Sequence, residues 1–215
     1  MTTRLTKIDA LTRPDHWHLR EEDECFYAGE YTARQGYKFS ETNHLIINLK
    51  KPMDRRGTPQ WKYKGEAIKA AARLLRSLLP QELLTTSLLV PTPPSKAKDD
   101  PMYDDRIMQM LQLVGSGLDA NICELVRQKA SMDAAHDRDD RPTLQQLEEN
   151  YVLDDSALAQ DPQSIAVFDD LITTGAHFVA MKNVIAARYP QANMIGIFLA
   201  RRALGSTIDD FLVTE

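Results

Sequence analysis

The chain has 215 residues and a formal net charge of −5, with 43% hydrophobic and 27% charged residues, which is the composition of an ordinary globular protein. This length suffices for one sizeable domain with an added subdomain. The negative charge disfavours a protein that coats nucleic acid over its whole surface. No apolar run approaches the roughly 20 residues that a membrane-spanning helix needs, and residues 1–10 lack the apolar core of a secretory signal.

Cysteine usage points to a reducing compartment. The chain has only two cysteines, Cys25 and Cys123, and they lie far apart in the sequence. This count excludes a disulfide framework and a cysteine-based zinc site within one chain. We therefore expect a cytoplasmic protein with no membrane partner.

Positive charge is concentrated in one part of the chain. Residues 50–76 hold nine Lys and Arg residues but only two acids, Asp54 and Glu66, whereas residues 21–24 are all acidic. A charge run of this kind is most often a solvated helix face. It is also compatible with a partner that carries phosphate, such as a nucleotide or a nucleic acid, or with docking to another protein. The sequence leaves these alternatives open.

The first 60 residues are predicted to be largely irregular, because Gly and Pro break them into short polar stretches. Within them, residues 43–49 look like a strand from their β-branched content and bounded length. We expect residues 1–60 to form an irregular or α+β subdomain that acts as a hood or binds a partner. Residues 61–215 are expected to form the main domain.

From residue 65 onward, predicted helices and strands alternate. Helical spacing of apolar residues predicts a helix that ends at Pro80 and further helices over 104–114 and 176–189. Asp104 and Asp105 are expected to cap the start of the 104–114 helix. Bounded apolar runs predict strands over 87–90, 122–126, 164–168 and 193–199. Residues 127–150 suit a mobile loop followed by a short helix. This alternation implies an α/β fold with a parallel sheet covered by helices on both faces.

The most informative segment follows the 164–168 strand and reads Asp169-Asp170-Leu171-Ile172-Thr173-Thr174-Gly175-Ala176-His177. Ligands of parallel sheets gather beyond the carboxyl ends of strands, where both carboxylates would stand. The next turn leads into a helix start, which offers free N–H groups and a positive dipole end. Threonine hydroxyls add donors, and a glycine lets the backbone approach a phosphate closely.

Each part of this segment also has an ordinary structural explanation. An Asp-Asp pair is usually a turn, and Thr-Thr-Gly is usually a helix cap. Their combination between an apolar strand and an amphipathic helix favours a ligand site instead. Because it places acceptors for ribose hydroxyls beside donors for a phosphate, the segment predicts a site for a phosphorylated sugar.

The same segment resembles the phosphoribosyl-pyrophosphate motif of type I phosphoribosyltransferases, in which apolar residues, two acids and two more apolar residues precede Thr-Thr-Gly. Three other segments resemble the ComF subgroup of that family, and the likeness covers about residues 61–202. They are Trp61-Lys62-Tyr63-Lys64-Gly65, Val90-Pro91-Thr92-Pro93-Pro94-Ser95-Lys96 and Ala200-Arg201-Arg202. Ala166 is smaller than the usual residue, His177 replaces a small or hydroxyl residue, and the four-cysteine zinc module of that subgroup is missing.

The resemblance implies a Rossmann-like phosphoribosyltransferase core and transfer of phosphoribose from phosphoribosyl pyrophosphate to a nitrogenous base, with release of pyrophosphate. It implies that Asp169 and Asp170 hold the ribose hydroxyls and stabilise charge on the ribose. The 5′-phosphate would bind the turn formed by Thr173, Thr174, Gly175, Ala176 and His177. The pyrophosphate would contact the loop that holds Ser95, Lys96 and Lys98. Mg²⁺ would be bound through ligand oxygens, with no metal ligand supplied directly by the chain.

The resemblance also implies a homodimer and a flexible catalytic loop over residues 127–150, with Arg127, Lys129, Arg138 and Arg141 in it. A second hypothesis is a non-catalytic module that senses a ribonucleotide or associates with nucleic acid. The presence of both acids favours catalysis, or at least a ribose-phosphate ligand. A third hypothesis is a domain that chiefly mediates assembly with another protein.

Overall fold

In a computed structural model that describes residues 4–132 and 142–204, one six-stranded sheet runs through the protein. Its strands, in spatial order, are β1 (Thr6–Lys7), β2 (Glu24–Thr32), β8 (Asn193–Ala203), β7 (Ser164–Ile172), β3 (Leu88–Pro91) and β4 (Asn121–Ile122). All neighbouring strands are parallel except β1, which is antiparallel to β2. A separate antiparallel ribbon pairs β5 (Val126–Gln128) with β6 (Tyr151–Leu153).

Helices flank both faces of this sheet. In the described part of the chain they are α1 (Glu41–Leu49), α2 (Lys62–Leu78), α3 (Gln81–Thr86), α4 (Arg106–Gly115), α5 (Leu144–Asn150) and α6 (Ala176–Ala186). One core cluster includes side chains of α1 to α4, and the other includes side chains of α5 and α6. The expected α/β architecture is confirmed as a mixed, mostly parallel sheet flanked by helices. Over residues 4–132 and 142–204, no helix combines the length and the apolarity that crossing a membrane requires.

Strand β7 shows why both faces of the sheet need cover. The side chains of Ile165 and Val167 belong to the core on the α6 face, whereas Ala166 and Phe168 belong to the core on the α2 face. All four residues are fully buried. This alternation is expected of a central strand in a covered parallel sheet. The acidic segment therefore comes where the apolar part of the strand ends.

Residues 43–49 belong to helix α1, so the prediction of a strand there is wrong. Ser40 caps the helix, because its side chain accepts a hydrogen bond from the backbone N–H of Asn43. The fully buried Asn43 side chain also bonds the backbone of Thr32 at the end of β2, at 2.9 and 3.1 Å. Ile46 and Leu49 then recur at helical spacing on the buried face. The cap and this packing outweigh the weak strand preference of the β-branched residues.

The strand predicted over 122–126 is wrong in its extent. Only Asn121–Ile122 pairs with β3, although the backbone N–H of Cys123 makes one further hydrogen bond to the Leu89 carbonyl at 3.0 Å. Val126 begins the separate ribbon with β6. An apolar run does not reveal which partner each of its residues pairs with, because strand pairing depends on tertiary contacts.

The first 60 residues contain more regular structure than the sequence predicted. Strand β2 pairs with β8 over residues 24–32, and α1 packs against α2. Residues 24–49 thus share the sheet and core of the main domain. The hood or partner-binding role of residues 1–60 stays a prediction. Residues 205–215, which were assigned to the main domain, lie outside the described residues.

Candidate functional site

A cavity of about 680 Å³ opens at the carboxyl ends of β3 and β7. Three parts of the chain form most of its lining: the β3–α4 connection, the β7–α6 turn, and residues of the β5–β6 ribbon and its approaches. The first 60 residues contribute Lys50, Pro52 and Met53. Of the ten residues predicted from the sequence, the structure brings nine to the cavity lining: Ser95, Lys96, Lys98, Asp169, Asp170, Thr173, Thr174, Ala176 and His177.

The tenth residue, Gly175, shapes the turn between β7 and α6. Its φ of +86° lies in the left-handed region, which side chains disfavour. A Cβ at this position would also lie 2.9 Å from two side-chain carbons of Leu19. Glycine therefore permits both the backbone conformation and the close approach of Leu19, and the turn depends on it.

The N-terminal segment His16–Leu19 holds this turn from behind. The His18 backbone N–H donates to the carbonyl oxygen of Thr174 at 3.0 Å, and His16 Nδ1 donates to the carbonyl of Thr173. In a trans peptide the carbonyl and the following N–H point in opposite directions. The N–H groups of Thr174 and Gly175 therefore point away from the N-terminal segment, on the side of the turn where an anion can approach. Sequence reasoning missed this support, since nothing local to His16 or His18 indicates it.

Asp170 is held by two cations of the protein. Arg106 contacts its Oδ2 atom through Nε at 2.7 Å and Nη2 at 2.6 Å, and the Lys50 ammonium lies 3.0 Å from Oδ1. The Asp170 side chain is 2% exposed. Burial alone would raise the pKa of Asp170, but the charges and hydrogen bonds of Arg106 and Lys50 outweigh it and hold the pKa well below its ordinary value. Asp170 is therefore a fixed anion.

Asp169 has the opposite character. Its half-buried side chain lines the cavity, and its Oδ1 atom accepts the backbone N–H of Asp170 at 2.7 Å. Burial, followed by the negative charge of Asp170, raises the pKa of Asp169 to about 7. Asp169 can thus exchange a proton near neutral pH, and it can either accept a hydrogen bond from a ligand hydroxyl or donate one.

A buried ionic chain supports the acid pair. Lys64, 3% exposed, donates to the carbonyls of Leu49 and Lys51 at 2.8 and 2.9 Å and to Asp104 Oδ2 at 2.7 Å. Asp104 Oδ2 in turn accepts from Arg106 Nη1 at 2.8 Å, and the same Arg106 clamps Asp170. The Trp-Lys-Tyr-Lys-Gly segment therefore contributes a buried structural lysine behind the site.

The prediction that Asp104 and Asp105 cap α4 is wrong. Asp105 occupies the N-cap position, but its side chain makes no capping hydrogen bond and accepts one from the Gln109 side chain at 2.6 Å. Asp104 is used by Lys64 and Arg106. A buried pair of cations competes more strongly for this carboxylate than two backbone N–H groups.

The β3–α4 loop is fastened to the segment that follows β5. The Met132 N–H donates to the Ser95 carbonyl at 2.7 Å, and the Ala97 N–H donates to the Ser131 hydroxyl at 3.0 Å. Lys98 forms an ion pair with Glu124, which also accepts the Tyr103 hydroxyl at 3.1 Å. Lys98, a predicted pyrophosphate-binding residue, thus already has a carboxylate partner.

The predicted catalytic loop is partly described. Arg127 pairs with Asp154 at 3.0 Å, and Lys129 donates to the Glu149 carbonyl at 2.5 Å. Both basic residues line the cavity. Arg138 and Arg141 lie outside the described residues.

The basic stretch over residues 50–76 is partly used inside the protein. Lys50 and Lys64 serve the acid cluster, and Arg76 donates to the Val114 carbonyl at 2.6 Å. Arg56 and Lys62 lie over the rings of Trp61 and Tyr63, at 5.7 and 5.1 Å. The stretch is therefore not one continuous solvated face.

Two residues of the site, Lys50 and Arg106, were not predicted to belong to it. Lys50 carried only the general signal of the basic stretch, and Arg106 carried none. Among the described residues, no group of three or more His, Cys, Asp or Glu side chains is arranged to hold a metal ion. No protein-family model matches the chain, and no curated protein is detectably similar to it. The functional argument therefore depends on the geometry of this site.

Proposed function

We propose that the protein binds phosphoribosyl pyrophosphate through a type I phosphoribosyltransferase fold and transfers phosphoribose to a nitrogenous base, releasing pyrophosphate. One observation carries the proposal: the acid pair, the Thr173–His177 turn and the β3–α4 loop converge on a single cavity at the carboxyl edge of the sheet. These three parts correspond to the ribose, the 5′-phosphate and the pyrophosphate of that ligand. The sequence likeness and the spatial arrangement thus support the same ligand.

The 5′-phosphate would bind the turn at the start of α6. The N–H groups of Thr174 and Gly175 point away from the N-terminal segment that holds the carbonyls, and the first turn of α6 adds N–H groups without helical partners. Because this phosphate does not react, its binding energy can position the ribose and support the reacting carbon. The rigid support from His16–Leu19 keeps the turn in its binding geometry.

The acid pair would act on the ribose ring. Breaking the bond to pyrophosphate builds positive, oxocarbenium-like charge on the ribose, as in glycoside hydrolysis. Asp170 is a fixed anion close to the ligand and stabilises that charge electrostatically. Asp169, which lines the cavity and is free of cation contacts in the described residues, would make the direct hydrogen bond to a ribose hydroxyl.

The leaving pyrophosphate would meet the β3–α4 loop, where Ser95 and Lys96 line the cavity. Lys98 can bind the pyrophosphate only if its ion pair with Glu124 is replaced by a contact with the ligand. Mg²⁺ fits this site as an ion bound through ligand oxygens, since a pyrophosphate and a ribose supply hard oxygen ligands and the Asp169 carboxylate lines the same cavity. The ion would neutralise charge on the leaving group.

A second candidate is a module that binds a ribonucleotide without catalysis, alone or with a nucleic acid. One observation favours it: both Asp170 oxygens are occupied by Arg106 and Lys50. A carboxylate fixed in this way contributes charge but not a direct ligand contact. The two candidates share the same ligand site and differ in turnover.

The test is calorimetric titration with phosphoribosyl pyrophosphate, with and without Mg²⁺. We expect magnesium-dependent binding that Asp169→Asn/Asp170→Asn abolishes and that Asp119→Asn, an exposed acid elsewhere, leaves unchanged. Pyrophosphate release in the presence of a panel of bases then separates the two candidates: release supports the transferase, and tight binding without release supports the non-catalytic module. A folded wild type that binds no phosphoribosyl pyrophosphate would refute the transferase, and one that also binds no ribonucleotide would refute both candidates.

A further inference from the structure

A tyrosine behind the cavity is bonded to the histidine at the start of α6. The Tyr151 hydroxyl in β6 lies 2.7 Å from His177 Nδ1. Tyr151 is 3% exposed and is not part of the cavity lining, whereas His177 is half-buried and lines the cavity. The imidazole therefore has one edge against the protein and its other edge towards the cavity.

The hydrogen bonds available to the Tyr151 hydroxyl determine the tautomer of His177. If Nδ1 carried the proton, the buried Tyr151 hydroxyl would accept that bond and its own proton would need another acceptor. No other partner of this hydroxyl occurs among the described residues, and buried hydroxyl protons are rarely left unpaired. The hydroxyl therefore donates to Nδ1, and the proton of the neutral ring resides on Nε2. That nitrogen has no partner in the part of the chain that the structure describes, and His177 lines the cavity.

The ring is also expected to be neutral. Burial, together with the nearby Lys50 charge, lowers the pKa of His177 to about 4, although Asp170 opposes this. Burial likewise raises the pKa of Tyr151 and keeps its hydroxyl protonated. A neutral imidazole with its proton on Nε2 offers one N–H donor in a fixed direction, at the point where the turn presents its backbone N–H groups.

We propose that His177 Nε2–H donates a hydrogen bond to the 5′-phosphate of the ligand and that Tyr151 is the positioning residue that fixes the tautomer and direction of this donor. This inference rests on the proposed function and deepens it, because it assigns the phosphate-binding set of this chain a side chain from α6 and a supporting residue from β6.

Two measurements test the assignment. The first is the ¹⁵N NMR spectrum of the His177 ring in the full chain, assigned with the His177→Gln variant. We expect a neutral ring protonated at Nε2 in the wild type and a mixture of tautomers in Tyr151→Phe. The second is the affinity for ribose 5-phosphate and for phosphoribosyl pyrophosphate. His177→Leu should weaken both by about tenfold or more, the effect of one hydrogen bond to a charged acceptor. His177→Gln, which keeps an N–H donor, should recover most of the loss.

The outcomes separate the inference from the proposed function. A wild type that binds both ligands while His177→Leu stays within about twofold overturns the inference and leaves the proposed function intact. A ring protonated at Nδ1 also overturns the inference, because Tyr151 would then be the acceptor. A wild type that binds neither ligand overturns the proposed function and the phosphate assignment together. Tautomer mixing in Tyr151→Phe with an intermediate loss of affinity supports the positioning role, since a purely structural tyrosine would not change the ring protons.

Discussion

The two adjacent acids should respond to the same substitution with opposite changes in stability. Asp169→Asn removes a carboxylate that burial and the charge of Asp170 make unfavourable, and the amide oxygen can still accept the Asp170 N–H. Asp170→Asn removes the partner of Arg106 and Lys50. We expect the first variant to be more stable than the wild type at alkaline pH and the second to be less stable.

The magnitudes follow from the burial of each group. One pKa unit corresponds to about 1.4 kcal/mol, so a carboxyl moved to a pKa of about 7 disfavours its ionised native state by up to about 4 kcal/mol. Because Asp169 is partly open to the cavity, water reduces this, and we expect a gain of about 1–3 kcal/mol. Asp170→Asn should lose about 3 kcal/mol, the lower end for a broken buried pair, since Arg106 keeps Asp104 and Lys50 can turn to water.

The pH dependence has a definite sign. The native pKa of Asp169 is raised, so its favourable contribution is complete below its unfolded value, near pH 4, and is lost as pH rises to about 7. The advantage of Asp169→Asn over the wild type should therefore grow between about pH 4 and pH 7 and then level off. Asp170, whose native pKa is depressed, stabilises the wild type above its unfolded value of about 4, and this contribution is lost as pH falls.

Urea unfolding followed by far-ultraviolet circular dichroism at pH 8 and pH 4.5 measures these differences from the midpoint and slope of each transition. Asp119→Asn, an exposed control, should stay within about 0.5 kcal/mol of the wild type. If both acid variants shift stability in the same direction at pH 8, the assignment of Asp170 as a fixed anion and of Asp169 as a carboxyl with a raised pKa is wrong.

Two further substitutions probe the support of the site. Lys64→Met leaves Asp104 and two carbonyls without their buried cation, so it should lower the free energy of unfolding by about 3–5 kcal/mol, as measured in urea. The control is Lys62→Met, exposed on the same helix, which should change this free energy by less than about 0.5 kcal/mol. Gly175→Ala should lower stability by about 1–2 kcal/mol from the left-handed backbone alone, with an added clash against Leu19, and should weaken phosphoribosyl pyrophosphate binding. Leu19→Ala in the Gly175→Ala background should relieve the clash but not the backbone penalty, and calorimetry of unfolding separates the two.

The parts of the site that could be predicted are those that the sequence encodes locally. A buried strand, two acids, a Thr-Thr-Gly turn and a helix follow one another directly, so residue type and order suffice to place Asp169 to His177 at a sheet edge. The same reasoning failed for residues 43–49 for two reasons. The Ser40 cap is a local helix signal that the β-branched composition outweighed in the prediction, and the bonding of the buried Asn43 side chain to Thr32 is a tertiary contact that composition does not report.

The cations of the site could not be predicted for a related reason. Arg106 reaches Asp170 across 64 residues of sequence, and Lys50 approaches the same carboxylate from the end of α1. Neither position carries a motif, and the basic stretch around Lys50 suggested a surface face. Which lysine is buried depends on how α1, α2 and α4 pack together, as Lys64 shows with its 3% exposure beside the exposed Tyr63.

The support of the turn between β7 and α6 explains why the first residues of the chain contribute to the candidate site although they lie far from it in sequence. His16 reaches Thr173 across 157 residues, and His18 holds the next carbonyl. A free loop would have to order these peptides on binding and lose conformational entropy, which weakens affinity. With both carbonyls already bonded on one side, the N–H groups point to the other side before any ligand arrives. Under the proposed function, the N-terminal segment would act on the ligand through this turn, and the role would require no contact with the base, unlike the hood predicted from the sequence.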